Sequence, residues 1–262
     1  MEQHGENPLQ NVVAIIPARY LSTRLPGKLL LDIAGKPLIL HTLEKAKRAD
    51  TVLKVLVATD DERIFDVVKR SGGEAVMTSP DHRSGSDRIA EVAETLSPGT
   101  IIVNVQGDEP TISPYTIDKA VNALLSDNAA DVVTTSEPII DLDDIQNGNV
   151  VKVVTNADGY ALYFSRSPVP YPRQAMQSNN GFGNADILNI YRKHTGLYVY
   201  RREYLLKFTK MPPSRLEQIE MLEQLRALEN GARIKVIDVD ERSIGVDTQE
   251  DLDRVRRLVE NK

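Results

Sequence analysis

A chain of 262 residues, 41% hydrophobic and 27% charged, can bury a full core and is ordinary for a globular protein. Its 32 Lys+Arg against 38 Asp+Glu exclude a general nucleic-acid binder, which needs a basic surface, but allow one local cationic pocket. Without cysteine there are no disulfides, no thiolate catalysis and no Cys-ligated zinc. No apolar run is long enough to cross a bilayer, and Met1 to Gln10 lacks the apolar core of a signal peptide, so a cytoplasmic protein without membrane insertion is expected.

In chain order, the first half alternates apolar strands with amphipathic helices. Val12–Ile16 reads as a buried strand, and Pro37–Arg48 as a helix with Leu38, Leu40, Leu43 and Ala46 on or near one face. Val55–Ala58 is a second strand, ending in Thr59-Asp60-Asp61, which caps a helix running through Val68. Ala75–Met77 is a third strand. Ser86 opens a helix that turns Ile89, Val92, Ala93 and Leu96 inward, and Ile101–Val105 is the next buried strand. Ser113-Pro114 supplies a cap and a first-turn proline for another helix. This alternation predicts an α/β fold with a mostly parallel sheet covered on both faces.

After about residue 130 the pattern changes. Asp131–Ser136, Val150–Val154, Tyr160–Phe164 and Thr195–Tyr200 read as strands with little helix between them, which predicts an antiparallel insertion beside the first sheet. Pro168–Ala185, rich in Pro, Asn, Gly and Gln, is expected to be a mobile or partner-contacting loop. Ser214-x-x-Glu217 is a capping box for a helix that Gly231 would stop. Ile234–Val239 is a last core strand, and Thr248 caps a terminal helix with Leu252, Val255 and Val259 inward.

Three strand ends carry the chemistry. The first strand runs into Pro17-Ala18-Arg19 and a small-residue loop that adds Arg24 and Lys28, three cations within ten residues. This is neither a Walker A nor a Gly-x-Gly-x-x-Gly sequence, yet ligands of such sheets bind outside the carboxyl ends of the strands. A triphosphate suits the loop, cradled by backbone N–H groups and neutralised by the cations. In Gln106-Gly107-Asp108-Glu109, a carboxylate stands at a second strand end. Asp108 is the better Mg²⁺ ligand, because Gly107 lets the backbone turn beneath it, while Glu109 could equally cap the next segment. Asp247 reads as a helix-start residue, with a shared metal site as the alternative. The stretch from Thr78 through Arg83, Ser84 and Gly85 reads as a loop and N-cap, although its polar groups could contact a heterocycle. In the second half Arg166, Arg192, Lys193, His194, Tyr198, Glu217 and Gln218 form a polar set suited to an acidic sugar, since Arg grips a carboxylate in bidentate fashion.

Together, IIPARYLSTRLPGK, DHRSGSDR, VNVQGDEP, YALYFSR, HTGLYVY, LEQIEMLEQLR and GVDTQEDL, spread over residues 12–258, resemble the 3-deoxy-D-manno-octulosonate (Kdo) cytidylyltransferases. The resemblance implies a nucleotide-diphospho-sugar transferase-like, Rossmann-like three-layer sandwich. It implies a single cytidylyltransferase domain over 1–262, with an insertion at roughly 130–213 contributing a sugar pocket and a homodimer interface. The implied reaction is CTP + Kdo → CMP-Kdo + pyrophosphate, serving lipopolysaccharide core biosynthesis. An 8-amino Kdo analogue or a sialic acid is the alternative sugar. By the same resemblance Arg19, Lys28 and Asp108 are catalytic, and Asp108 and Asp247 hold Mg²⁺. Pro17, Ala18, Arg19, Lys28, Thr78, Arg83, Ser84, Gly85 and Gln106 bind the nucleotide. Arg166, His194, Tyr198, Glu217 and Gln218 line the sugar pocket.

Overall fold

The computed structural model describes residues 11–22, 24–173 and 184–260. Strand β1 (Val12–Ala18) leads through a 3-10 turn at Lys28–Leu30 and a small hairpin, β2 (Asp32–Ile33) and β3 (Lys36–Pro37), to helix α1 (Leu38–Lys47). Then come β4 (Lys54–Thr59), α2 (Glu62–Arg70), β5 (Glu74–Met77), α3 (Gly85–Glu94), β6 (Ile101–Asn104) and α4 (Pro114–Ser126). The second half gives β7 (Val132–Pro138), α5 (Leu142–Gln146), β8 (Lys152–Thr155), β9 (Ala161–Ser165), α6 (Asn184–Leu188) and β10 (Arg192–Arg201). It ends with α7 (Arg202–Phe208), α8 (Arg215–Glu220), α9 (Gln224–Glu229), β11 (Ile234–Asp238) and α10 (Gln249–Glu260).

The central sheet has the order β11-β7-β10-β6-β1-β4-β5. Strands β6, β1, β4 and β5 are mutually parallel, β7 and β11 are parallel to each other, and β10 runs antiparallel to both of its neighbours. Successive residues of β1 serve opposite layers. Val12, Ala14 and Ile16 enter a core with α1, α4 and α10, while Val13 and Ile15 enter a second core with α3, α7 and α9. Both faces are therefore covered, and the strand reads as an unbroken apolar run rather than an alternating one. The result is the expected three-layer α/β sandwich.

The segment after residue 130 extends the first-half sheet at its β6 edge, as expected of an antiparallel insertion: β10 pairs antiparallel with β6, β7 and β11 follow it, and the β8–β9 pair branches off through Lys193 opposite Lys152. The helix expected from Ser214 to Gly231 is two helices, broken where Met221 adopts a left-handed φ of 52°. Capping matches more closely. Asp61 accepts from the Arg63 N–H, Ser214 and Glu217 form the capping box, and Thr248 accepts from the Asp251 N–H while Asp251 accepts from that of Thr248. The helix assigned to Ser86 begins one residue earlier, behind a Ser84–Asp87 capping box. Most of the loop expected at Pro168–Ala185 lies outside the described residues.

Candidate active site

β1 lies between β4 on one side and β6 on the other, so the chain leaves the sheet in opposite directions at its carboxyl edge. A crevice opens at such a switch point. It holds a cavity of about 370 Å³, lined by Pro17, Ala18, Arg19 and Lys28 from the first loop, Ser84 and Gly85 before α3, Gln106 and Asp108 after β6, and Asp247 before α10. These residues and Arg24, all singled out in the sequence, are thus brought together, and Ser22, His82 and Arg88 join them.

Lys28 organises the floor. Its Nζ donates to Asp108 Oδ2 at 2.5 Å and to Asp247 Oδ1 at 2.9 Å. Burial on its own would lower the Lys28 pKa, but the two carboxylates outweigh it and the net direction is upward, so the ammonium stays charged. Arg24 pairs with the other oxygen of Asp247 at 2.8 Å. Arg19, by contrast, is exposed at the cavity and in no ion pair among the described residues, leaving its guanidinium available to an anion.

Two local reasons hold the carboxylates in place. Asp247 does not sit at a strand end. An irregular loop after β11 carries it, pinned where the Val246 N–H donates to the Asp108 carbonyl at 2.9 Å. Gly107 is needed for closeness rather than for a sharp turn: a Cβ there would lie 3.0 Å from the Pro17 carbonyl oxygen and 3.3 Å from Ile39. Its φ is not among the positive ones.

Among the described residues no group of three or more His, Cys, Asp or Glu could hold a metal ion. Two carboxylates converging on one cation nevertheless make a hard-oxygen donor pair. That suits Mg²⁺, which takes one or two carboxylates and completes its shell from substrate phosphates and water.

A second cavity, of about 120 Å³, shares Gly85 and Gln106 with the first. Tyr198, Tyr200, Asn104, Glu223 and Gln224 line it. Here the structure and the sequence reading diverge. Glu217 and Gln218 do not line this cavity: Glu217 is engaged in the Ser214 cap and lies 3.1 Å from Arg226, and Gln218 is exposed. The same Leu-Glu-Gln tripeptide recurs six residues later, and the second copy faces the cavity. Glu223 accepts from Ser86 at 2.6 Å and from Arg226 at 2.8 Å.

The remaining residues stand around these cavities. His194 packs between Phe164 and Tyr198, with ring centroids 4.9 Å and 5.4 Å away, and burial drives its pKa down to about 3. Thr134 donates its one hydroxyl proton to the Leu197 carbonyl at 2.8 Å, so it accepts from His194 Nε2 at 2.9 Å, which fixes the proton on Nε2. Burial likewise raises the Tyr198 phenol, keeping it neutral. The guanidinium of Arg166 is engaged by the carbonyls of Gly148, Glu220 and Met221 and lines neither cavity. Thr78 is buried under Arg88, which donates to its hydroxyl and to Asp60. Arg83 is exposed and lines neither cavity.

Beneath Asp108, burial and the neighbouring Asp108 charge raise the Glu109 carboxyl to about 7, against a stabilising hydrogen bond from Ser243. A folded pKa above the unfolded one means the native state binds the extra proton. Its stability contribution is full below about 4.5 and lost as pH rises through about 7. Glu109→Gln, in metal-free protein, is therefore expected to melt close to wild type at pH 4 and to be more stable by up to about 3 kcal/mol at pH 8. Thermal melts at the two pH values check this; equal differences at both would contradict it.

Comparison with known proteins agrees with this geometry. A family model described as cytidylyltransferase matches residues 13–235. A 3-deoxy-manno-octulosonate cytidylyltransferase of Geobacter sulfurreducens is 53% identical over 94% of this chain and 98% of its own. A solved structure of a CMP:2-keto-3-deoxy-manno-octonic acid synthetase complexed with CTP superposes with a TM-score of 0.87 at 42% identity, covering 96% of this chain and 99% of that one. A 4-diphosphocytidyl-2C-methyl-D-erythritol synthase from Anaerococcus prevotii, 15% identical with a TM-score of 0.59 over 95% of this chain and 98% of its own, shares the fold. On its sequence, its fold and the convergence of its site charges, the chain belongs to the cytidylyltransferase family and, within it, to the 3-deoxy-manno-octulosonate cytidylyltransferases.

Proposed function

We infer that this chain is an enzyme that transfers CMP from CTP to the anomeric 2-hydroxyl of Kdo, releasing pyrophosphate and forming CMP-Kdo, the activated sugar of lipopolysaccharide assembly. The observation that carries this reading is the junction of the two cavities at Gly85 and Gln106. One holds cations and paired carboxylates for a triphosphate, and the other holds Tyr198, Glu223 and Gln224 for a polyhydroxyl acid.

The sugar oxygen attacks the α-phosphorus. A new P–O bond forms as the bond to the α,β-bridging oxygen breaks, pyrophosphate departs, and the hydroxyl proton passes to water. Such a step needs positioning and charge neutralisation more than covalent help. Arg19 and Lys28 hold the departing phosphates. Pro17, Ala18, Ser84, Gly85 and Gln106 position the nucleotide, with Thr78 acting through Arg88, whose guanidinium it holds at the cavity wall; Arg83 takes no part in either cavity. Asp108 and Asp247 would hold Mg²⁺, which when bound neutralises phosphate charge and lowers the pKa of the sugar hydroxyl. His194, locked neutral, supports Tyr198 from the side, and Arg166 fixes the α8–α9 turn that presents Glu223. The reading includes a homodimer formed through segment 130–213, which exposes Ile140, Leu162 and Tyr171, and a cytoplasmic setting; no described helix is long and apolar enough to cross a membrane.

Pyrophosphate release with CTP and Kdo, an 8-amino Kdo analogue or a sialic acid tests the substrate. Turnover is expected to be fastest with Kdo; turnover with another sugar and none with Kdo would overturn the assignment. A pair of variants separates the two tripeptides. Glu223→Gln should lower kcat/KM for Kdo by about tenfold or more, whereas Gln218→Ala should change it by less than about twofold. Equal losses would return the role to the first copy.

A further inference from the structure

Behind the loops that carry Asp108 and Asp247 lies another cavity of about 370 Å³, as large as the one in front. Ile244, Leu258 and Val259 give it an apolar wall, and Arg48 and Arg242 stand at its rim. Both arginines are exposed, and neither takes part in an ion pair among the described residues. Glu44, the one carboxylate on the lining among the described residues, is already held by Lys36 at 2.6 and 2.7 Å. The free charge around this space is therefore positive, and the space is too apolar for a bare inorganic ion to be its best occupant.

The cavity is also wired to the site in front. Its walls Thr111 and Ile244 are joined by the Ile244 N–H donating to Thr111 Oγ1 at 2.7 Å. Two residues further on, the Val246 N–H donates to the Asp108 carbonyl, and Lys28 bridges Asp108 to Asp247. A molecule wedged between Thr111, Ile244 and α10 bears directly on the seam that sets the spacing of the two carboxylates.

We propose that this cavity is a second ligand site, for a small organic anion with an apolar body, whose anionic group lies between Arg48 and Arg242 and whose occupancy shifts nucleotide affinity in front. The binding half stands on the cavity alone. The coupling half rests on the reading of Asp108 and Asp247 given above.

The test uses the full chain and 4-(trifluoromethyl)benzoate as probe, followed by ¹⁹F line broadening with and without CTP. Saturable binding that persists with CTP bound, and that weakens by about tenfold or more in the Arg48→Glu/Arg242→Glu double variant, is expected. The variant's own CTP affinity, measured by calorimetry without probe, should match wild type, since neither residue lines the front cavity. Displacement of the probe by CTP, binding unaffected by the double reversal, or no saturable binding would overturn the site. Probe should change the KM for CTP in wild type and not in the variant; an unchanged wild-type KM would overturn the coupling, whatever the sugar substrate proves to be.

Discussion

Replacing Asp108 by Asn should lower kcat by about 10²-fold or more while the fold survives, a loss of about 2.7 kcal/mol of transition-state stabilisation. The substitution keeps the side chain's shape and removes its charge. The loop holds its path without that charge, because the backbone carbonyl of Asp108 accepts from Val246 and Gly107 packs against Pro17. Lys28 keeps its bond to Asp247 when the Asp108 charge is removed, so the ammonium is not left unpaired. What is lost is one of two anionic oxygen donors in the cavity. Asp247→Asn should behave alike, with Arg24 then left without its partner. Steady-state pyrophosphate release alongside a thermal melt checks both. Near-wild-type rates in either variant would remove that residue from the metal site.

Lys28→Met should cut kcat/KM for CTP by about 10²–10³-fold, because one ammonium does two tasks. In the proposed function it neutralises phosphate when nucleotide is bound; in the free protein it bridges Asp108 and Asp247. Removing it leaves two carboxylates facing each other, so the variant should melt at a lower temperature than wild type and gain more from added Mg²⁺. A melt series against Mg²⁺ reads this directly, and an identical Mg²⁺ response in the two proteins would contradict it. Because the two carboxylates hold the Lys28 pKa above its ordinary value, this group should put no limb on the wild-type rate in the neutral and mildly alkaline range. Arg24→Met, which breaks a single exposed pair, should alter stability by less than about 0.5 kcal/mol.

The strands of the first half were legible because a sheet covered on both faces turns each strand into a short apolar run ending in polar residues. β1, β4 and β6 show this pattern, and the site groups Arg19, Lys28 and Asp108 follow directly after two of those runs. The second half was less legible for a different reason. That β10 inserts antiparallel between β6 and β7 depends on pairing across scores of residues, which no local pattern encodes. The two copies of Leu-Glu-Gln are locally alike. Only the break at Met221, a left-handed conformation at a residue that seldom adopts one, turns the second copy towards Tyr198 and leaves the first in a cap. A capping box at Ser214 was a signal that Glu217 was already committed. Arg166 looked free in sequence because the carbonyls that engage it are 18 to 55 positions away. Gly107 was read as a turn residue, whereas close approach of β1 to the loop after β6 is what requires it.

The most direct measurement is a crystal structure with CTP, Mg²⁺ and Kdo bound. Phosphates are expected against Arg19 and Lys28, metal held by Asp108 and Asp247, and the sugar against Tyr198, Glu223 and Gln224. A nucleotide bound away from the β1–β6 crevice, or a sugar against Glu217 and Gln218, would contradict this arrangement.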